Sequence, residues 1–290
     1  MNPPDGSTRE SPSLRWSEAG GLASRRDRVI VEAPLAVEIA FERQGQAVAR
    51  VWGVTMRTPG HDEDLALGLL HAEGLIAGLA DVRESGPRGV NARGERIATW
   101  RVALARAPRD EGRVLRDGLA SAGCGLCGRP TLEGLPLGAP AAAGLPPLTC
   151  RRLAELPEML RRHQPAFLAT GGCHGAALCG ADGELRLARE DVGRHNAVDK
   201  AVGAALRQGL DFAGLILVLS GRAGFELVQK AAAAGVPAVI AVGAPSSAAV
   251  ELAHAAGLTL IGFARPGRFN VYTHAERLDL ADARFRLAEA

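Results

Sequence analysis

The segment Ser121-Ala-Gly-Cys-Gly-Leu-Cys-Gly128 carries Cys124 and Cys127 two residues apart, with glycine at 123, 125 and 128. Thiolates at this spacing suit redox exchange, metal ligation or sulfur handling. A thioredoxin-type pair opens a helix, where the dipole lowers the thiol pKa. Three closely spaced glycines make a poor helix start, because each adds backbone entropy. The expectation is a mobile loop whose thiolate reaches more than one partner. The competing possibility is half of a structural zinc site. That needs four ligands, and Cys173, His174 and Cys179, with Cys150 in reserve, match no zinc-finger spacing.

A second group of residues suits anions. The order of elements from Leu215 onward reads βαβαβ: strand Leu215 to Leu219, helix Phe225 to Ala234 stopped by Gly235, strand Val236 to Val242. A helix capped by Ser246 or Ser247 follows, then strand Leu258 to Phe263. Such units are parallel with right-handed crossovers. Loops 220–224, 243–247 and 264–270 therefore leave the carboxyl ends of neighbouring strands, where open α/β sheets bind ligands. Arg222, Arg265 and Arg268 lie there with Ser220, Ser246, Ser247 and Asn270. Guanidinium forks match phosphate geometry, so a nucleotide or other phosphate-bearing ligand is expected. It is not a P-loop, since no G-x-x-x-x-G-K-[ST] occurs. A further strand-to-helix turn, Gly193-Arg-His-Asn196, offers free N–H groups and a cation to an anion. Plain capping by Asn196 accounts for it equally well.

The remaining elements must hold these two groups. Val29 to Ile39 reads as a strand interrupted or bent near Pro34. Ala47 to Val54 returns from a turn at Arg43 to Gln46, which makes a hairpin. Thr58-Pro-Gly-His-Asp-Glu-Asp64 opens a helix whose acidic first turn complements the dipole. Ile97 to Leu104 is a further strand, so this half is a small α+β domain. Pro130 to Pro147 is a flexible connector. Thr149 caps a helix towards His163 that Pro157 kinks or splits. Asp182-Gly183 joins a hairpin.

Composition bounds the function. With 290 residues, 47% of them hydrophobic, the chain suits roughly two domains with ample core. The expected division is a disordered tail over 1–24, a small α+β domain over 25–130 ending in the C-x-x-C loop, and an α/β domain over 131–290. A net charge of +2 and 4% aromatics exclude a broad nucleic-acid surface. No stretch approaches the ~20 apolar residues of a membrane span. The first residues lack the apolar region of a signal peptide, and five cysteines do not make a full disulfide framework. A cytoplasmic protein is expected, with no nucleic-acid or membrane partner.

Several blocks together resemble one family. Gly123-Cys-Gly-Leu-Cys-Gly128, Thr170-Gly-Gly-Cys-His-Gly-Ala-Ala177, Glu190-Asp-Val-Gly-Arg-His-Asn-Ala-Val-Asp-Lys200 and Ser220-Gly-Arg-Ala-Gly-Phe-Glu226 are similar to the FdhD family. Gly262-Phe-Ala-Arg-Pro-Gly-Arg268, before Val271-Tyr-Thr-His274, fits too. The resemblance covers about Val29 to His274. It implies a small N-terminal α+β domain, a cytidine-deaminase-like α/β domain and a homodimer. Deaminase chemistry itself is not expected. That reaction needs H-x-E and P-C-x-x-C, whereas His174 precedes Gly175-Ala176 and Gly123 precedes Cys124. The resemblance further implies a sulfurtransferase. A cysteine desulfurase hands sulfur to Cys124, which holds it as a persulfide with Cys127 as partner. The sulfur passes to a bis-molybdopterin guanine dinucleotide molybdenum cofactor destined for formate dehydrogenase. The family's cofactor segment falls on Phe263, Ala264, Arg265, Pro266, Gly267 and Arg268. Cys173 and Cys179 gain no role, and no resident metal is expected. Two other readings remain: a cofactor-binding chaperone without sulfur transfer, and a zinc-stapled nucleotide-binding protein.

Overall fold

The computed structural model describes residues 3–4, 6–108, 120–121 and 149–279. Cys124, Cys127 and the expected boundary at 130/131 lie outside the described residues. No described helix is long and apolar enough to cross a membrane.

The smaller unit is a five-stranded sheet in the order β5-β6-β3-β4-β7. Its centre is the hairpin of β3 (Ala33–Arg43) and β4 (Gln46–Arg57), and β6 (Thr99–Leu104) runs parallel to β3. β5 (Val82–Arg88) and the short β7 (Ala120–Ser121) complete the edges. Val37, Ile39 and Phe41 alternate on β3 and meet Leu67 and Leu70 of helix α1 (Asp62–Ala72) in one core.

The larger unit is a six-stranded sheet in the order β13-β12-β11-β10-β8-β9. β10 (Leu215–Leu219), β11 (Ala238–Ala241) and β12 (Thr259–Arg265) are parallel, as the βαβαβ order requires. β8 (His174–Gly180) and β9 (Leu185–Asp191) form the hairpin turned at Asp182-Gly183, and β8 is antiparallel to β10. Both faces are covered, which explains the unbroken apolar run of β10. Leu215, Leu217 and Leu219 join the core with residues of helices α4 (Arg194–Gln208), α5 (Phe225–Ala234) and α6 (Ser247–Ala255). Ile216 and Val218 meet Leu153, Leu156 and Leu160 of α2 (Cys150–Arg162), which the short α3 (Pro165–Thr170) follows. Thr149 caps α2 by accepting from Arg152 N at 3.3 Å, and the helix runs unbroken through Pro157.

The two units meet where α1 crosses α4. A Cβ on Gly68 would lie 1.8 Å from the Asp199 carbonyl oxygen, and one on Gly203 would lie 1.9 Å from that of Asp64. Glycine at both positions lets the helices touch backbone to backbone.

Three expectations are corrected. The N-terminal residues are not a disordered tail, because β1 (Thr8–Ser17) and β2 (Gly21–Ile30) pair as an antiparallel ribbon. The backbone ladder organises this ribbon without covering a core, so the apolar alternation that reveals a buried strand is weak. The strand expected over Val29 to Ile39 is broken at Val31-Glu32, and its first two residues end β2. The stretch 264–270 is not a loop throughout. β12 continues to Arg265 and returns through Pro266-Gly267 as β13 (Arg268–Thr273).

Candidate functional site at the strand ends of the larger sheet

The charged block Glu190 to Lys200 ends β9 and opens α4. Asp191 is fully buried and accepts from Lys200 Nζ at 2.7 Å, Thr58 N at 3.1 Å, Gly193 N at 2.9 Å and Asn196 Nδ2 at 3.2 Å. Lys200, itself buried, also donates to the Thr58 carbonyl at 2.8 Å. Asn196 donates to the Met56 carbonyl at 2.8 Å. Thr58 and Met56 belong to the smaller unit, so this constellation locks the two units together. Asn196 is not the helix cap that the sequence allowed; Gly193 occupies that position. A cavity of about 250 Å³ lies beside the lock, walled in part by His61, His163, Arg189 and Lys200. Its two cations are committed, Arg189 to Asp64 and Lys200 to Asp191.

The other side of the turn faces the carboxyl ends of the parallel strands. β8 is antiparallel to β10, so the start of β8, the end of β9 and the start of α4 share that edge with loops 220–224 and 243–247. Backbone bonds tie the loops together: Gly243 N donates to Gly221 O at 2.8 Å, and Phe263 N donates to Gly243 O at 3.1 Å. Gly243 permits this contact, because a Cβ there would lie 2.8 Å from Arg222 Cα. The N-termini of α4, α5 and α6 all arrive here, which adds three partial positive charges.

The structure therefore puts Arg222, Arg265 and Arg268 on one edge of the sheet, and adds Arg194. None of these four makes an ion pair with a described residue, whereas Arg57, Arg101, Arg152, Arg186, Arg189 and Arg207 all do. Arg265, Pro266, Gly267 and Arg268 are exposed at the turn, with the two arginines paired across it. Ala264 is buried. Phe263 is 43% exposed in a left-handed conformation at φ 52°, where the register shifts between Gly262 and Arg265. A bulky residue held there stores strain of the kind that collects at binding sites.

Sequence reasoning placed His195 in this turn but missed its partner, Glu226. His195 Nε2 donates to Glu226 Oε2 at 2.7 Å, each residue being the second of its helix. Burial holds the His195 imidazole well below its ordinary range, at about 4; Glu226 opposes the shift, and Arg194 and Lys230 reinforce it. His174 is also lowered, first by burial and then by Arg194 and Arg222. Both rings are neutral at pH 7, so they add hydrogen-bonding capacity without charge. The signal was present in the order of elements, which puts both helix starts on one edge.

Two of the three described cysteines, Cys173 and Cys179, are poor nucleophiles. Burial and the neighbouring Glu190 push the Cys173 thiol far up, and it donates to that carboxylate at 3.2 Å. Burial pushes Cys179 up to about 12. Cys173 immediately precedes β8 and Cys179 lies near its far end, so they cannot share one metal ion with His174.

Fold and edge together define an α/β protein with a cationic edge at its parallel-strand ends, joined to a smaller α+β unit. The FdhD/NarQ family model matches residues 30–279, and the chain belongs to that family. It is 46% identical to the sulfur carrier protein FdhD of Anaeromyxobacter dehalogenans (strain 2CP-1), over 96% of each chain. To the protein of that name from Thermoplasma volcanium it is 41% identical, over 92% of this chain and 94% of that one. A solved structure described as a formate dehydrogenase accessory protein from Desulfotalea psychrophila superposes with a TM-score of 0.69. It is 25% identical and covers 93% of this chain and 99% of its own.

Proposed function

We propose that this protein is a sulfur carrier that serves formate dehydrogenase, working as a persulfide sulfurtransferase. The observation that carries the reading is its near-full-length similarity to proteins named sulfur carriers. The chemistry is consistent with it. Cys173 and Cys179 are held as thiols, and the family resemblance implies Cys124 and Cys127 as the sulfur-handling pair. In the first step the Cys124 thiolate attacks the sulfane sulfur of a desulfurase persulfide, and the desulfurase thiolate leaves. This is thiol–disulfide exchange with no net oxidation. In the second step the Cys127 thiolate attacks Cys124, expels hydrosulfide towards the molybdenum centre and leaves a disulfide for a cellular reductant. Free thiols in this role suit the reducing cytoplasm.

The sulfur acceptor in this reading is the bis-molybdopterin guanine dinucleotide cofactor, bound as substrate. The uncommitted Arg194, Arg222, Arg265 and Arg268, gathered at three helix N-termini, supply charge for its diphosphates. Exposed Phe263 supplies an apolar surface for a ring.

Incubation with a cysteine desulfurase and cysteine, followed by intact-mass measurement, tests the carrier role. Added sulfur on the wild type, removed by reductant and absent in Cys124→Ala, is expected. Cys124→Ala should also fail to activate formate dehydrogenase in cells. Full activation by that variant would overturn the assignment and leave a binding chaperone.

A further inference from the structure

After β12 the chain returns as the hairpin partner β13 instead of crossing over through another helix. The core sorts the two faces of this hairpin: Ile261, Ala264, Phe269 and Val271 pack with α2. Side chains alternate along a strand, so Arg268, Asn270 and Tyr272 share the opposite face. All three are exposed. Gly262 belongs to that face too. A Cβ there would lie 3.1 Å from Tyr272 Cε2 and 2.9 Å from Pro245 Cδ, so the missing side chain lets the ring and the proline close over the backbone. The Tyr272 ring is thus backed from within, while 37% of the residue stays in solvent. A ring held in place before a ligand arrives spares the cost of ordering it on binding.

We propose that Tyr272, outside the segment 263–268 that the resemblance implies, is the platform on which the guanine base of the cofactor's dinucleotide tail stacks. The inference rests on the proposed cofactor as sulfur acceptor. Order along β13 gives the ligand its direction. Residues two apart on one face of a strand are separated by about 7 Å, so Arg268, Asn270 and Tyr272 form a row about 13 Å long. An extended nucleoside diphosphate is of comparable length, and the row matches its parts in turn. The guanidinium suits the diphosphate, the amide suits the ribose hydroxyls and the aromatic face suits the base. Arg265, opposite Arg268 across the turn, adds a second cation at the phosphate end. Phe263, two residues from Arg265, stays at that end and is left for the ring on the other side of the diphosphate.

Guanosine diphosphate and inorganic pyrophosphate are the probes. In calorimetric titration of the full chain, Tyr272→Ala should bind guanosine diphosphate about tenfold or more weakly, the scale of one lost base stack. Its binding of pyrophosphate should be unchanged, which also shows that the variant is folded. Tyr272→Phe keeps the ring and should bind both probes as the wild type does. Tyr272 is the only tyrosine of the chain, so wild-type protein labelled with fluorotyrosine gives a single fluorine resonance. Guanosine diphosphate should shift it through the ring current of the stacked base, much further than pyrophosphate does. A resonance left in place by saturating guanosine diphosphate, or equal affinity in the wild type and Tyr272→Ala, would overturn the platform and leave the cofactor reading intact. A wild type that binds neither probe would overturn both.

Discussion

The two sides of the Asp191 turn behave in opposite ways. On the inner side, Asp191, Asn196 and Lys200 are buried, and their polar atoms are spent on one another and on the backbone at Met56 and Thr58. On the outer side, Arg194, Arg222, Arg265 and Arg268 pair with no described residue. A buried charge without a partner costs several kcal/mol, so the inner residues must satisfy each other during folding. An exposed guanidinium has no such obligation and stays available to a ligand. The most motif-like block of the sequence is thus mainly architecture, and the shorter Phe263 to Arg268 segment is the better site candidate.

That contrast can be broken experimentally. Lys200→Met leaves buried Asp191 without its cation and should destabilise the protein by about 3–5 kcal/mol in denaturant titration. A near-normal midpoint would show that the lock is dispensable and free the block for a functional role. Arg268→Ala should leave stability nearly untouched. It should weaken guanosine diphosphate binding by about ten- to a hundredfold in calorimetry, as loss of one charged hydrogen bond costs about 1.5–3 kcal/mol. Arg162→Ala, on α2, should bind as the wild type does. Equal affinity for Arg268→Ala would move the site towards Arg194 and Arg222.

The His195–Glu226 contact sharpens the comparison most gently, since its expected effect at neutral pH is nil. The folded protein keeps His195 neutral down to about 4, whereas the unfolded chain protonates it near 6.5. The unfolded state therefore binds more protons in that window, and stability falls as pH drops through it. Above 6.5 the ring is neutral in both states and the penalty is absent. His195→Gln should flatten this part of a plot of melting temperature against pH. An unchanged slope would place the acid sensitivity elsewhere.

Much of the frame was legible. The run Leu215 to Leu219, the helix Phe225 to Ala234 and its stop at Gly235 follow from continuous apolar character, 3.6-residue periodicity and a left-handed glycine. Parallel order then placed Arg222 and the strand ends on one edge without coordinates. The ribbon over 8–30 escaped because it buries no face. The return strand β13 escaped because a strand that continues past a bulge at Phe263 carries no period to follow.

The sequence by itself determined which residues can do chemistry: the spacing of Cys124 and Cys127, the arginines flanking Pro266-Gly267, and the strand order that gathers loop ends. These are local properties, set by residue type, period and chain order. Only the tertiary structure decided which polar groups are already spent. Asp191 meets Thr58, Arg189 meets Asp64 and His195 meets Glu226 across separations that no local pattern encodes. Desolvation, which forces those pairings, depends on what the packed units exclude from water.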